Sequence, residues 1–176
     1  MAKKRLFFGL LPDPEVHSQL VELSRSFPVL QDVEPVSNKN LHITLQFLGN
    51  LEASERKCIE KKMAQTYVQA FSLRLDHYGY FKSAQILWLG CSSYPRELTR
   101  LVNHLKSIAE NCGAATEERI YKPHVTLFKK VPKAHFPDIP FTITWRATEL
   151  HLLESVSDGN TTRYVSLAKH SFLKEE

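Results

Sequence analysis

Two histidines, His42 and His124, each stand two residues before a threonine, in the stretches NLHITLQFLG and KPHVTLFKK. The same His-x-Thr-Leu pattern therefore recurs 82 positions along the chain (124 − 42 = 82). The chain has eight histidines, so one copy alone would carry little weight. Two copies in matching strand-like surroundings indicate a shared role for His42, Thr44, His124 and Thr126.

The residue types suit phosphodiester chemistry. An imidazole has an ordinary pKa of about 6.5, so near neutral pH one histidine can be neutral while another is protonated. Such a pair provides a general base and a general acid. Two threonine hydroxyls can donate hydrogen bonds to phosphate oxygens and stabilise charge that develops there. We therefore expect one histidine to activate water or a ribose hydroxyl and the other to protonate the leaving oxygen.

Competing interpretations of the two histidines are weaker. Either one alone could be a structural core residue, but the repeated threonine argues against that for the pair. A zinc site requires three or four protein ligands, whereas each motif supplies one nitrogen. The chain has no HExxH, Walker loop, GxGxxG or GxSxG motif, so we expect no metal and no cofactor. Cys58, Cys91 and Cys112 form no CxxC pair and are predicted to be buried thiols in a reducing compartment, not disulfides.

Hydrophobic periodicity predicts strands and helices that interleave twice. Asp13 is a good N-cap for a helix that starts at Pro14, buries Val16, Leu20 and Leu23, and ends before Pro28. The predicted strands are 5–11, 41–48, 71–76, 86–89, 123–128, 141–145, 148–154 and 163–170. Further helices are predicted at 54–67 and 95–111, with loops at 29–39 and around the prolines at 132–140.

Strict alternation along the motif strands gives each an apolar back and a polar front. The first front would carry His42, Thr44 and Gln46, opposite Leu41, Ile43, Leu45 and Phe47. In the second strand, His124 and Thr126 would oppose Val125 and Leu127. We expect one α+β domain over residues 1–176, with two lobes that each offer one motif strand to a shared groove.

Composition is ordinary for a globular protein, with 43% hydrophobic and 24% charged residues and a net charge of +4. That charge permits an anionic partner without naming one. No apolar stretch approaches the roughly 20 residues of a membrane helix, and the start has no signal-peptide pattern. We therefore expect a cytoplasmic protein without a membrane partner.

The motifs resemble those of the 2H phosphoesterase superfamily, which is named for its two His-x-Thr/Ser motifs. Within it, the chain is similar to the bacterial RNA 2′,3′-cyclic phosphodiesterases, also called 2′-5′ RNA ligases. The similarity includes RLFFGLLP, NLHITLQFLGNL, ILWLG, YKPHVTLFKK and ESVSDGNTTRYVSLAKHSF. It implies a two-lobed, pseudo-symmetric fold with antiparallel sheets around a central groove and helices outside.

The resemblance also implies an activity. The expected reaction is metal-independent hydrolysis of a terminal 2′,3′-cyclic phosphate to a 2′-phosphate, with weak, reversible, ATP-independent 2′-5′ joining of RNA ends such as tRNA halves. His42 and His124 would be the catalytic pair, with Thr44 and Thr126 as the phosphate-binding residues. The protein is expected to act as a monomer. The alternatives are a non-catalytic RNA-end binding protein, or a phosphodiesterase for small cyclic nucleotides or 2′-5′ oligoadenylate.

Four further residues are candidate substrate contacts. Relatives often carry an arginine three residues after the second motif threonine, where this chain has Lys129, which keeps the charge but not the bidentate fork. Strict alternation would aim Lys129 away from the groove. Arg119 is a second basic candidate, and Phe7 and Phe128 are candidates for stacking on a base or ribose, although either could instead pack in the core.

Overall fold

The computed structural model describes residues 3–28 and 32–174. Its helices are α1 (Pro14–Arg25), α2 (Ala53–Met63) and α3 (Arg96–Asn111), and a 3-10 turn covers Asn38–Asn40. Its strands are β1 (Lys4–Leu10), β2 (Glu34–Pro35), β3 (Ile43–Leu51), β4 (Phe71–Leu75), β5 (His77–Phe81), β6 (Ile86–Gly90), β7 (His124–Lys129), β8 (Ile143–Ala147), β9 (Glu149–Ser157) and β10 (Thr162–Ser171).

The main sheet is antiparallel and has the order β10-β9-β1-β3-β7-β6-β5, with β2 paired beside the end of β7. The two motif strands, β3 and β7, meet at its centre through the pair Ile43 and Val125. One half of the sheet is therefore β10, β9, β1 and β3, and the other is β7, β6 and β5. Strands β4 and β8 form a separate antiparallel pair. This arrangement confirms the predicted α+β fold with antiparallel strands and two related halves.

One face of the main sheet is packed against the helices. Ile43 and Val125 are fully buried there and belong to the same apolar cluster as Leu20 of α1 and Leu105 of α3. Burial of these side chains is the main force that holds the halves together. We call the opposite face, which carries His42, Thr44, His124 and Thr126, the groove face.

Helix α1 forms as predicted. The Asp13 carboxylate accepts a hydrogen bond from the Val16 backbone N–H at 2.9 Å, and Pro14 occupies the first turn. The buried residues are Val16, Leu20 and Leu23, at the spacing of one helix face. Because the chain must reverse between β1 and β3, this cap fixes where the connection starts.

Several element boundaries differ from the predicted ones. Strand β5 was not predicted, since its sequence HYGYF contains a glycine and no clear alternation. Helix α2 ends at Met63 rather than at residue 67, and β3 runs from Ile43 to Leu51 rather than over 41–48. The region predicted as a loop at 29–39 contains β2, while its residues 29–31 lie outside the described part of the chain.

The expectation of three free thiols is wrong for two of them. Cys58 of α2 and Cys112 at the end of α3 form a disulfide, with their Cα atoms 5.7 Å apart. The two residues are 54 positions apart in sequence, and they meet because α2 packs beside α3. Cys91 is a buried free thiol, and burial raises its pKa to about 11, with the Asp76 charge contributing in the same direction.

Candidate active site

The two motifs lie side by side at the centre of the groove face. Ile43 and Val125 are paired in antiparallel register. Residues on either side of such a pair lie across from one another. His42 is therefore across from Thr126, and Thr44 is across from His124. The pairing brings two imidazoles and two hydroxyls into one cluster with approximate two-fold symmetry, as the sequence predicted.

Both imidazole rings are held in the same way by the backbone. Nδ1 of His42 donates to the carbonyl oxygen of Asn40 at 2.6 Å, and Nδ1 of His124 donates to the carbonyl oxygen of Lys122 at 2.7 Å. A carbonyl only accepts, so the proton lies on Nδ1 in each ring and Nε2 is the nitrogen available for chemistry. The Thr44 hydroxyl donates to Nε2 of His42 at 2.9 Å.

Asn40 also connects His42 to β10, the edge strand of the same half of the sheet. Its side-chain amide donates to the Thr162 carbonyl at 2.6 Å and accepts from the Tyr164 N–H at 3.3 Å. The same residue thus fixes β10 with its side chain and the His42 ring with its carbonyl. This brace could not be predicted from the sequence, because Asn40 and Tyr164 are 124 positions apart.

A hydrogen bond from the second half of the sheet also holds the first motif in position. The Tyr121 hydroxyl, from the loop before β7, donates to the Thr44 carbonyl at 3.1 Å. Burial raises the pKa of Tyr121 well above its usual value, so it remains a neutral donor. The position of Thr44 therefore depends on the strand that carries His124.

Both motif histidines favour the neutral form in the free protein. Burial lowers the pKa of His42 to about 4, and the charges of His124 and Lys129 add to that effect while the Asn40 hydrogen bond opposes it. Burial also lowers the pKa of His124, helped by the charge of Lys122. An anionic phosphate between the rings would stabilise their charged forms and raise both values.

Aromatic rings pack against each imidazole. Phe7 and Tyr164 lie 5.2 and 4.8 Å from His42, measured between ring centroids. Phe81 and Trp88 lie 5.0 and 5.8 Å from His124. The Trp88 ring fits because Gly79 and Gly90 have no side chain, since a Cβ at either position would overlap it.

Phe7 and Phe128 are placed differently from the expectation that they stack on substrate. Phe7 is only 3% exposed and packs against His42, so it positions that ring rather than offering a face to a ligand. Phe128 packs against the core residue Phe27 at 5.1 Å. Its side chain therefore lies on the core side of the sheet.

A β-bulge in each motif strand explains the placement of residues beyond the threonines. In β7, Thr126 pairs with Trp88 and Phe128 with Leu87, which leaves Leu127 as an extra residue. A bulge of this kind shifts the alternation by one residue. Phe128 is therefore next to the core residue Leu87, and Lys129 is on the groove face.

The same irregularity occurs in β3. Thr44 pairs with Gly9 and Gln46 with the fully buried Phe8, so Leu45 is the extra residue. Gln46 is thereby turned away from the groove face, contrary to the expectation that it shares a face with His42. Phe47 is brought onto the groove face instead, and it is 49% exposed. By the approximate symmetry of the motifs, Phe47 occupies the position that Lys129 has in the other half.

The two basic candidates have different surroundings. Lys129 lies past the bulge of β7 on the groove face, and its charge contributes to lowering the pKa of His42. Arg119 is exposed and pairs with Glu117 at 2.9 Å, in the loop before β7. Of the two, Lys129 has the position expected of a substrate contact.

No candidate metal centre and no membrane-spanning helix lies elsewhere in the described residues. In the described part of the chain, no three His, Cys, Asp or Glu side chains are grouped to hold a metal ion. No helix there has the length and apolar character to cross a membrane. Two surface cavities lie away from the motifs, one beside residues 10–13 and 145–149 and one beneath the proline-rich loop at 136–141.

Comparison with known sequences gives consistent matches. A model of the 2′-5′ RNA ligase superfamily matches residues 12–159. An Escherichia coli protein named RNA 2′,3′-cyclic phosphodiesterase is 30% identical over 167 residues, covering 94% of this chain and 95% of that protein. A Bacillus subtilis protein of the same name is 28% identical over 130 residues, covering 70% of each chain.

Comparison with solved structures agrees. The structure of Escherichia coli LigT complexed with 3′-AMP has a TM-score of 0.90 and 30% identity, covering 97% of this chain and 98% of that one. The apo form of LigT has a TM-score of 0.88, at 30% identity and with 98% of this chain and 99% of that one covered. A Thermus thermophilus protein, at 24% identity and a TM-score of 0.81 over 95% of this chain and 97% of that one, shares the fold.

Proposed function

The chain belongs to the 2′-5′ RNA ligase superfamily, and on that premise we propose that it is an RNA 2′,3′-cyclic phosphodiesterase. The observation that carries the proposal is the antiparallel contact between Ile43 and Val125, which sets His42 and His124 around one site with Thr44 and Thr126. The relative of similar length that has this name supports it.

In the proposed reaction, the cyclic phosphate lies between the two imidazoles. One histidine takes a proton from water through Nε2 while the water oxygen bonds to phosphorus. The P–O3′ bond breaks on the opposite side, and the other histidine gives its proton to O3′, which leaves a 2′-phosphate. Thr44 and Thr126 donate to the non-bridging oxygens, where charge develops. No metal has a part in these steps.

We assign the base to His42 and the acid to His124 in the hydrolytic direction. His42 has the pKa that is lowered to about 4, so it is neutral, and its Nε2 lone pair becomes available when the Thr44 hydroxyl, which donates to it in the free protein, donates to the phosphate instead. In the joining reaction, the 5′-hydroxyl of a second RNA takes the place of water with the same roles: His42 takes its proton, the P–O3′ bond breaks, and His124 protonates O3′, which leaves a 2′-5′ linkage. In the reverse of joining, the 3′-hydroxyl attacks phosphorus, the 5′-oxygen leaves and the two roles exchange, so the proposed ATP-independent 2′-5′ joining of RNA ends is reversible.

Lys129 is the proposed contact for a phosphate oxygen on the His42 side. The bulge at Leu127 places it on the groove face, and its charge reaches His42. RNA ends with a 2′,3′-cyclic phosphate, tRNA halves among them, are the proposed substrates. A monomeric state, a single domain over residues 1–176 and a cytoplasmic location stay predictions.

The test is an assay of a short RNA that ends in a 2′,3′-cyclic phosphate, carried out in EDTA with products separated as 2′- or 3′-phosphates. We expect conversion to the 2′-phosphate. RNA that binds without turnover would support an RNA-end binding protein instead. Turnover of small cyclic nucleotides or 2′-5′ oligoadenylate alone would move the proposal to those substrates.

A further inference from the structure

A second lysine of the groove face, Lys122, lies beside His124. It is exposed and precedes the histidine by two residues. Trp88 is paired with Thr126, so its ring is on the groove face. The Lys122 ammonium lies 5.5 Å from the centroid of the Trp88 ring, and the His124 ring lies 5.8 Å from the same ring. Lys122 and His124 therefore border one aromatic ring on the groove face.

Trp88 gives the lysine a fixed support. The ring is only 4% exposed, and it lies over Gly79 and Gly90, where a Cβ would overlap it. A cation over the face of a tryptophan is attracted by the charge distribution of the ring. The Lys122 side chain is thereby directed back along the groove face toward His124, rather than out into solvent.

Lys122 is available for an anionic ligand. Arg119 and Lys130, the basic residues on either side of the second motif, are paired with Glu117 and Glu34. Lys122 forms no ion pair with a carboxylate in the described part of the chain, and its ammonium contacts the Trp88 ring instead. When a phosphate binds this lysine, no ion pair within the described structure has to break.

The two lysines of the groove face lie at opposite ends of the site. Lys129 is paired with Glu34, in the segment that leads to His42, whereas Lys122 lies beside His124. In the proposed reaction, water attacks on the His42 side and O3′ leaves on the His124 side. The ribose of the terminal nucleotide is therefore on the His124 side, and the RNA chain continues from its 5′ carbon on that side.

From this placement we propose that Lys122 binds the phosphate that links the terminal nucleotide to the nucleotide before it. The inference rests on the proposed function. An RNA end carries this negative charge and a cyclic mononucleotide lacks it, so the contact would give the site a preference for RNA ends. The ammonium of lysine is a compact charge on a flexible stem, which suits contact with a phosphate of any sequence.

The test compares three substrates that differ at this phosphate. They are 2′,3′-cyclic AMP, the dinucleotide ApA with a terminal 2′,3′-cyclic phosphate, and the same dinucleotide with an uncharged methylphosphonate link. The two dinucleotides have the same bases and riboses, so their ratio of kcat/KM isolates the charge of the link. For wild type, we expect the charged dinucleotide to be the best substrate and to exceed the methylphosphonate about 5- to 20-fold.

Lys122→Gln should reduce that preference to within about 2-fold of equality. The Lys122 charge also contributes to the lowered pKa of His124, but a change in the acid affects both dinucleotides alike and cancels in their ratio. Lys57→Gln is the matched control, an exposed lysine on α2, whose buried residues pack in the core on the other face of the sheet. It should keep the wild-type preference.

The salt dependence gives a second readout. A lysine that contacts one phosphate of a single strand releases a bound counterion, which contributes about 0.7 to the slope of log kcat/KM against log salt concentration. For the charged dinucleotide, the slope should be shallower by about that amount in Lys122→Gln. The slope in Lys57→Gln should equal that of wild type.

Two results would overturn the inference: equal kcat/KM of wild type for the two dinucleotides, or a preference for the charged link that Lys122→Gln retains. Turnover with either result would leave the enzyme and remove the contact. If wild type turned over none of the three substrates, the proposed function would fail, and calorimetry with the two dinucleotides would decide the contact. A preference in Kd that depends on Lys122 would keep it, and equal Kd values would remove it.

Discussion

Ile43 and Val125 are paired across the centre of the sheet, and both are fully buried. In each half, this paired residue lies between the motif histidine and the motif threonine. Each half therefore supplies one imidazole and one hydroxyl, and each hydroxyl lies across from the histidine of the other half. Any loss of the pairing would separate the acid from the base.

The pH profile of kcat/KM should lie on the acid side of that expected for histidines with an ordinary pKa. The pKa of His42 is lowered to about 4, mainly by burial, and that of His124 is lowered from 6.5 by the same cause. kcat/KM should fall on the acid side as His42 becomes protonated and on the alkaline side as His124 loses its proton. Because both pKa values lie below 6.5, we expect a bell-shaped profile of kcat/KM whose alkaline limb lies below pH 6.5. An alkaline limb of kcat/KM above pH 7 would contradict the assignment.

Asn40→Ala should reduce kcat as well as stability. The substitution removes two side-chain hydrogen bonds to β10 and loosens the carbonyl that holds His42. Each such bond contributes about 1 kcal/mol, so we expect kcat to fall about 5- to 30-fold. Asn38→Ala, an exposed neighbour in the same 3-10 turn, is the control and should retain activity. Equal rates in the two variants would show that Asn40 does not position His42.

Lys129→Gln should raise the pKa of His42 and weaken substrate binding. The Lys129 charge lowers the pKa of His42, so removing that charge should raise this pKa. The change can be followed by NMR titration of the imidazole. A lost charge-assisted hydrogen bond should cost about 1.5–3 kcal/mol in kcat/KM. Lys129→Arg should preserve binding, since guanidinium also pairs with phosphate.

The control for Lys129 is its neighbour. Lys130 pairs with Glu34 at 3.0 Å, away from the motifs, and lowers the pKa of that carboxyl. Lys130→Gln should leave both the His42 titration and kcat/KM near wild-type values. If the two glutamine variants behaved alike, the effect would come from overall charge and not from the bulged position of Lys129.

The disulfide between α2 and α3 should contribute to stability. It closes a segment of 54 residues, and the chain-entropy model gives about 4 kcal/mol for a loop of that size. Cys58→Ser should therefore lower the free energy of unfolding in denaturant by about 2–4 kcal/mol. Reducing agent should lower the stability of wild type by a similar amount and leave Cys58→Ser unchanged. If reducing agent left the free energy of unfolding of wild type unchanged, that result would contradict the disulfide.

The sequence predicted the features that follow from local pattern. The N-cap of α1, most strand positions and the four motif residues could be inferred because alternation and turn chemistry act over a few residues. The face of Gln46, Phe47 and Lys129 could not, since a bulge depends on the register with a neighbouring strand. The same holds for the Asn40 brace and the disulfide. These features arise from contacts between residues far apart in the chain.

The most direct test of the central claim compares His42→Ala and His124→Ala with wild type on an RNA ending in a 2′,3′-cyclic phosphate, in EDTA. His135→Ala is the control, an exposed histidine in the proline-rich loop. Loss of either catalytic proton transfer should reduce kcat about 100- to 10,000-fold, with the fold retained by circular dichroism and the control fully active. Wild-type turnover in either motif variant would contradict an acid–base pair built from His42 and His124.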